Sequence, residues 1–254
     1  MNIVGIVQSR VGSQRLPKKC FSLIRGEPLV GVIISRLLES GYITGVSIAA
    51  TDREEDRELD PVASGYGCKC YHGSENDIVD RLYNAGLQSK ADMIVRVWGD
   101  CPLVDSRLID RYIDASLRDD ADFTSNISPR SIPAGLNVEI YKMSALKRIL
   151  DETKDEFYRK YPRNYILDKN DFKVCNINID SSLTGINLCV DYTEDLAFVN
   201  KIFLEFKKNN YKFHMEDLEK LFKKNKKLMC DRQGLKRNIE YSDELEKRQK
   251  RGKL

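Results

Sequence analysis

Histidine is scarce in this 254-residue chain, with only His72 and His214 present. Cys68 and Cys70 are separated by one residue, with no second pair of metal-binding type nearby, so a tetrahedral zinc site is not expected. No disulfide framework is expected either. The seven cysteines (20, 68, 70, 101, 175, 189 and 230) are odd in number and scattered, which suits reduced cytoplasmic thiols acting as small apolar residues. Neither charge sign dominates: 42 basic residues against 39 acidic leave a net charge of +3, which argues against a nucleic-acid binder attracting phosphate over its whole surface. No apolar run is long enough to cross a bilayer, and the opening MNIVGIV lacks the charged start and cleavage site of a targeting segment. A cytoplasmic protein without membrane contact is the expectation. There is no internal repeat, no Gly-x-Gly-x-x-Gly after the first apolar run and no Gly-Lys-Ser/Thr ending of a Walker loop, which disfavours a dinucleotide redox cofactor and a P-loop.

What the chain does have is alternation. Strand-like runs at 2–7 (NIVGIV), 46–51 (VSIAAT) and 93–98 (MIVRVW) alternate with helical patterns at 28–41, 77–90 and 106–119, followed by an extended piece at 122–126. This predicts an α/β protein with a mostly parallel sheet and helices on both faces, binding its ligand beyond the carboxyl ends of the strands. The length suits one domain. From 132 to 179 a strand (132–141), a helix (144–153) and a strand (172–179) enclose a polar, aromatic stretch, EFYRKYPRNYI, and read as an excursion from the main sheet and a candidate dimerisation arm. A strand running into a helix follows at 187–206. The lysine-rich remainder, 207–254, reads as a basic helical tail whose last residues fray.

The segment QSRVGSQRLPKK (8–19) leaves the first strand at the edge where a ligand binds. Gly12 permits a tight path. Arg10 and Arg15 suit forked contacts with phosphate oxygens, and Lys19 supplies a point charge. The same charges are also compatible with a solvated loop. Asp100, in RVWGDCPLVD, and Asp191, in LCVDYTEDL with Thr193 as the expected helix cap, each end a strand. Carboxylates at strand ends often cap turns. Meeting over one sheet edge opposite a basic turn, the two form a candidate Mg2+ site, because that ion takes one or two carboxylates together with substrate phosphates.

RVGSQRLPKK, HGSENDIVDRLY, GDCPLVD, ADFTSN, PAGLNVEIY and VDYTEDL, in this order over roughly residues 1–206, resemble the cytidylyltransferases that activate sugar acids such as Kdo and sialic acid, most closely spore coat polysaccharide biosynthesis proteins of the SpsF type. The resemblance implies a Rossmann-like nucleotide-diphospho-sugar transferase fold, usually dimeric. It also implies transfer of CMP from CTP to a small anionic acceptor with release of pyrophosphate, in surface polysaccharide or glycoconjugate synthesis. Carried over by position, Arg10, Arg15 and Lys19 bind the triphosphate, with Gly12, Ser13 and Ser74 on the nucleotide, while Asp100 and Asp191 bind Mg2+. Arg10, Lys19 and Asp100 are the implied catalytic residues. Ser74 doubles as a helix-cap candidate, and Arg81 either reaches substrate or pairs with an acid. Trp98 and His72 read as structural.

This chain departs from the family in three places. Lys18 stands where glycine is common, with its side chain expected in solvent. Asn137 replaces a common acid, although Glu139 is kept. Residues 158–166 carry Arg159, Lys160 and Arg163 in place of a Glu-His pair. Asn137, Glu139, Arg159 and Arg163 are thus acceptor-side candidates, the alternative for 158–166 being an exposed basic loop. Use of another nucleoside triphosphate, a phosphonate or phosphorylated acceptor, or a non-catalytic nucleotide-binding role are the competing functional readings.

Overall fold

In the computed structural model, which describes residues 1–179, 181–225, 228 and 239–250, the continuous apolar runs form a parallel sheet buried on both faces. β1 (Ile3–Gln8) lies between β4 (Ile43–Thr51) and β6 (Met93–Trp98), and β5 (Lys69–Gly73) forms one edge beyond β4, all parallel. β2 (Leu23–Ile24) and β3 (Glu27–Pro28) form a separate small hairpin. Along β1 the side chains alternate between two cores. Ile3 and Val7 join α1 (Leu29–Leu37), α4 (Ser106–Arg118) and α8 (Thr193–Glu205) on one face, whereas Val4 and Ile6 join α3 (Ile78–Gln88), α5 (Met143–Glu152) and α7 (Pro162–Lys169) on the other.

The remaining strands complete a seven-stranded mixed sheet in the order β5-β4-β1-β6-β8-β7-β9. β8 (Glu139–Lys142) pairs antiparallel with both β6 and β7 (Phe123–Ser125), and β9 (Val174–Cys175) runs parallel to β7. Segment 132–179 therefore contributes two short strands to the main sheet, while residues 132–138 and 176–179, expected as strand, and the intervening helices α5, α6 (Glu156–Lys160) and α7 lie outside it. The strand expected at 187–192 is instead an extended segment with one isolated bridge, Ala134 to Asn187. Gly135 permits this approach: its φ is +100°, and an added Cβ would lie 2.7 Å from the Leu188 carbonyl carbon.

Beyond residue 206 the chain is not wholly peripheral. α9 (Met215–Lys224) buries Met215, Leu218 and Phe222 in the core of α1 and α4. The stretch 243–254, expected to be a frayed helix, is helical through residue 250 as part of α10 (Ile239–Lys250), and its last four residues, 251–254, lie outside the described residues. Among the described residues no helix is long and apolar enough to cross a membrane.

Candidate active site

Parallel pairing brings the ends of three strands to one edge, with Gln8 beside both Ala49 and Trp98. The chain leaves β1 there and turns over the sheet as the basic loop. A buried carboxylate anchors the loop: Asp56 accepts the Val11 N–H (2.7 Å), the Thr51 N–H (2.9 Å) and the Thr51 hydroxyl, so the loop is fastened to the end of β4. Asp56 lies in an acidic run, DREED, where nothing in the sequence distinguishes it from its neighbours. The sharp turn of the loop falls at Lys18, whose φ of 53° explains why glycine suits this position. The Lys18 ammonium pairs with Glu58 in solvent. Gly12, by contrast, has no left-handed φ, and an added Cβ would meet only the movable carboxylate of Glu55.

Lys19 is the centre of the site. Its Nζ lies 2.9 Å from the Val190 carbonyl, 3.0 Å from Asp191 Oδ1 and 3.4 Å from Asp100 Oδ2. Burial works against its charge, but Asp100 and Asp191 outweigh burial and hold its pKa above the ordinary value. Arg15 donates to the same Asp191 oxygen at 2.8 Å, with its guanidinium 5.4 Å from the centre of the Tyr192 ring. The two aspartates, 91 positions apart, are thus brought to one ammonium. Their backbones are also joined, the Val190 N–H donating to the Asp100 carbonyl at 2.8 Å.

Local devices hold each acid. Gly99 lets the turn before Asp100 close onto β1, since an added Cβ would lie 2.9 Å from the Gln8 carbonyl oxygen. Thr193 is not the cap of α8. The N-cap is Tyr192, and Asp195, in the first turn, reaches back to accept the N–H groups of Asp191 (3.0 Å) and Tyr192 (3.1 Å) through Oδ2, which orients Asp191 directly. Cys101 and Cys189 flank the pair, with sulfurs 3.8 Å apart, and Cys101 points at Asp100 Oδ1 at 3.2 Å. Contact with Cys189, then burial, raises the Cys101 thiol well above its usual pKa.

The other nucleotide-side candidates surround this centre. Arg10, half exposed, pairs with Glu75 at 2.5 Å, and Arg53 holds the second oxygen of the same carboxylate. Ser13 donates its N–H to the Val11 carbonyl at 2.7 Å. Ser74 accepts the Asp77 N–H at 3.0 Å, while Asp77 itself caps α3 by accepting from Asp80. Arg81 is buried, donates to the Ser74 carbonyl at 3.1 Å, and has an Nε without a hydrogen-bond partner among the described residues. Burial, then the like charges of Arg96 and Arg10, lowers its pKa to about 10.

Around the acceptor-side candidates of the sequence the charges are paired. Buried Glu139 receives Arg96 and Arg163, each at 2.9 Å, and the Tyr141 hydroxyl at 2.8 Å. Arg159 grips Asp77 through both Nε and its outer nitrogen. Asn137 accepts from Arg130 at 2.7 Å. Trp98 is half-buried at the end of β6 rather than fully in the core, with the Arg96 guanidinium 4.7 Å from its ring centre.

Two carboxylates directed at one cation supply the hard oxygen donors that suit Mg2+, set against a loop of guanidinium and ammonium groups suited to a polyphosphate. Known proteins share this arrangement of the chain. The chain is 31% identical over 212 residues to the uncharacterized protein MJ1063 of Methanocaldococcus jannaschii, covering 82% of this chain and 84% of that one. It is 28% identical over 174 residues to the spore coat polysaccharide biosynthesis protein SpsF of Bacillus subtilis, covering 65% of this chain and 72% of SpsF. A solved cytidylyltransferase from Leptospira borgpetersenii superposes with a TM-score of 0.85 at 26% identity, over 93% of this chain and all of that one. The profile of the family described as Cytidylyltransferase matches residues 4–250, and the chain belongs to that family.

Proposed function

We propose that this cytidylyltransferase transfers CMP from CTP to a sugar acid or related anionic acceptor in surface polysaccharide or glycoconjugate synthesis. An acceptor oxygen attacks the α-phosphorus, the bond to the bridging oxygen breaks, and pyrophosphate leaves. The observation that carries this reading is the convergence of Asp100 and Asp191 on Lys19, with Arg15 on the same carboxylate. Asp100 and Asp191 would hold Mg2+, which when bound neutralises phosphate charge and orients the triphosphate. Lys19 and Arg15, held on these acids, would meet the phosphates, and Arg10, exchanging Glu75 for a phosphate, would complete the clamp. Gly12, Ser13 and Ser74 would line the nucleotide. In-line displacement needs position and charge compensation more than covalent help, so these groups supply the main catalytic elements.

Asn137, Glu139, Arg159 and Arg163 are the proposed acceptor side. Because Arg159 and Arg163 are already matched by Asp77 and Glu139, an anionic acceptor would have to compete for them. That favours acceptors of at least one full negative charge. A homodimer is part of the same proposal.

The test is pyrophosphate release from CTP, UTP, GTP and ATP with a panel of sugar acids, sugar phosphates and phosphonates, with and without Mg2+. CTP-dependent, Mg2+-dependent turnover on a sugar acid is expected, and Asp100→Asn or Asp191→Asn should abolish it while leaving the far-ultraviolet spectrum intact. Full activity in either variant removes that residue from the site. Binding of CTP without turnover on any acceptor in the panel would favour a non-catalytic nucleotide-binding role.

A further inference from the structure

Outside the Lys19 cluster, the edge strand β5 brings together a second group of side chains. Cys70 and His72 are two residues apart on β5 and so face the same side of the sheet. α2 (Leu59–Gly65) packs on that strand and supplies Asp60 from its first turn. One ligand atom from each of Asp60, Cys70 and His72 lies within 4.8 Å of the other two.

The imidazole of His72 is placed in an unusual way. Nδ1 lies 3.0 Å from the Thr51 carbonyl oxygen and Nε2 lies 2.7 Å from Asp60 Oδ1. Both facing atoms are acceptors, but a neutral imidazole has a single N–H. If the Thr51 carbonyl takes that N–H, the Nε2 lone pair faces a carboxylate at hydrogen-bond distance, and a positive charge shared by the two groups relieves the contact, a metal ion doing so once the Asp60 side chain shifts outward by about 0.5 Å. Either a second proton or a metal ion supplies that charge. A second proton would leave the Cys70 thiol as a hydrogen-bond donor to Asp60, whereas a metal ion would take all three groups as ligands. Imidazole, thiolate and carboxylate are together a donor set of zinc sites, and a backbone carbonyl on the other ring nitrogen is the support that commonly fixes a ligating histidine. The His72 side chain is 9% exposed and that of Asp60 44%, so the group opens to solvent on the Asp60 side, from which a water would supply the fourth ligand.

We propose that Asp60 Oδ1, Cys70 Sγ and His72 Nε2 bind a Zn2+-type cation that clamps the short helix α2 to the edge strand β5. Sequence spacing pairs Cys70 with Cys68, whereas the fold pairs it with a histidine two residues on and an acid ten residues before. Binding is a ligand exchange without redox change: the ion loses waters, and the Cys70 proton passes to solvent.

The test is titration of the full-length, reduced chain with Co2+, followed by displacement with Zn2+. One equivalent of Co2+ should produce a thiolate-to-cobalt charge-transfer band with tetrahedral ligand-field absorption, and Zn2+ should abolish both. Cys70→Ser should remove the charge-transfer band, and His72→Gln should weaken Zn2+ affinity by at least about 100-fold, the upper range for loss of even a supporting partner. Cys68→Ser and Cys101→Ser should leave the band unchanged, and circular dichroism of each variant checks that it is folded. No thiolate band in the wild type, a band that survives Cys70→Ser, or a band lost in Cys101→Ser but kept in Cys70→Ser would each overturn the proposal, the last by placing the metal beside Asp100.

Discussion

Lys19 brings its ammonium to 3.0 Å from Asp191, whereas Lys18, its neighbour in the chain, turns outward to Glu58 from a left-handed backbone. Their substitutions should separate accordingly. Lys19→Met is expected to lower kcat/KM by about 100-fold or more, the scale of losing one preorganised charge contact, while sparing the fold. Steady-state kinetics that differ less than tenfold from wild type would remove Lys19 from the transition state. Lys18→Gly should leave kinetics unchanged and raise stability by about 1 kcal/mol, because relief of the left-handed conformation exceeds the extra chain entropy of glycine. Denaturant midpoints check this. Asp56→Ala removes one acceptor from the buried N–H groups of Val11 and Thr51 and should cost about 3 kcal/mol. Activity should fall with it, since the same carboxylate fastens the basic loop.

Asp105 is the point where α4 and α9 meet. It caps α4 through the N–H groups of Arg107 (2.9 Å) and Leu108 (3.2 Å), and it receives His214 Nδ1 at 3.0 Å and the Met215 N–H at 2.6 Å. Burial alone would raise its pKa, but His214 and the Met215 N–H outweigh it and hold the carboxyl below its ordinary 3.8. A folded-state pKa below the unfolded one means the contribution is complete above about pH 4 and is lost as pH falls through the lowered value. Asp105→Asn should therefore reduce Tm by a constant amount near neutrality, and the gap to wild type should narrow below pH 4. Thermal melts from pH 2.5 to 7 test the sign, and a gap that widens in acid would show that Asp105 does not titrate as described. Capping also shows what sequence can and cannot supply at this scale. The acid three positions into a helix is a visible cue in both YTED and HMED, but Thr193 draws attention as a capper although the backbone N–H of Asp191 goes to Asp195.

At the scale of the whole molecule, α10 returns from the chain end to cover α6 and α7. Arg248 pairs with Asp155 at 2.9 Å and lies 4.8 Å from the Phe157 ring centre and 4.4 Å from that of Tyr158, while Lys160 holds Glu244 at 2.7 Å and Tyr161 packs edge-on against Tyr241. Arg248→Ala should cost about 1 kcal/mol, from one partly exposed ion pair and its ring contacts. A Tm equal to wild type would mean that α10 does not dock in solution. Helices α6 and α7 carry Arg159 and Arg163, the proposed acceptor-side groups, so removal of residues 239–254 should raise the acceptor KM more than the CTP KM, and an equal effect on both would detach α10 from the proposed acceptor side.

The alternation of apolar runs and amphipathic stretches determined by itself three of the four strands in the parallel half of the sheet, β1, β4 and β6, but not the half-buried edge strand β5: the segments at 93–98 and 106–119 match β6 and α4 almost residue for residue. Local cues suffice there because buried parallel strands are continuous apolar runs and helices repeat every 3.6 residues. Charge on the loop after β1, and an acid after Gly99, were legible for the same reason: strand ends are local. Only the tertiary structure decided that 139–142 enters the sheet between β6 and β7, that 187–191 runs beside Gly135 with a single bridge, and that Asp56 and Glu75 position the groups of the basic loop. Asp56 and Glu75 lie 45 and 65 residues from Val11 and Arg10, and hydrogen bonds and ion pairs at that range are chosen by distance in space, which no local pattern encodes.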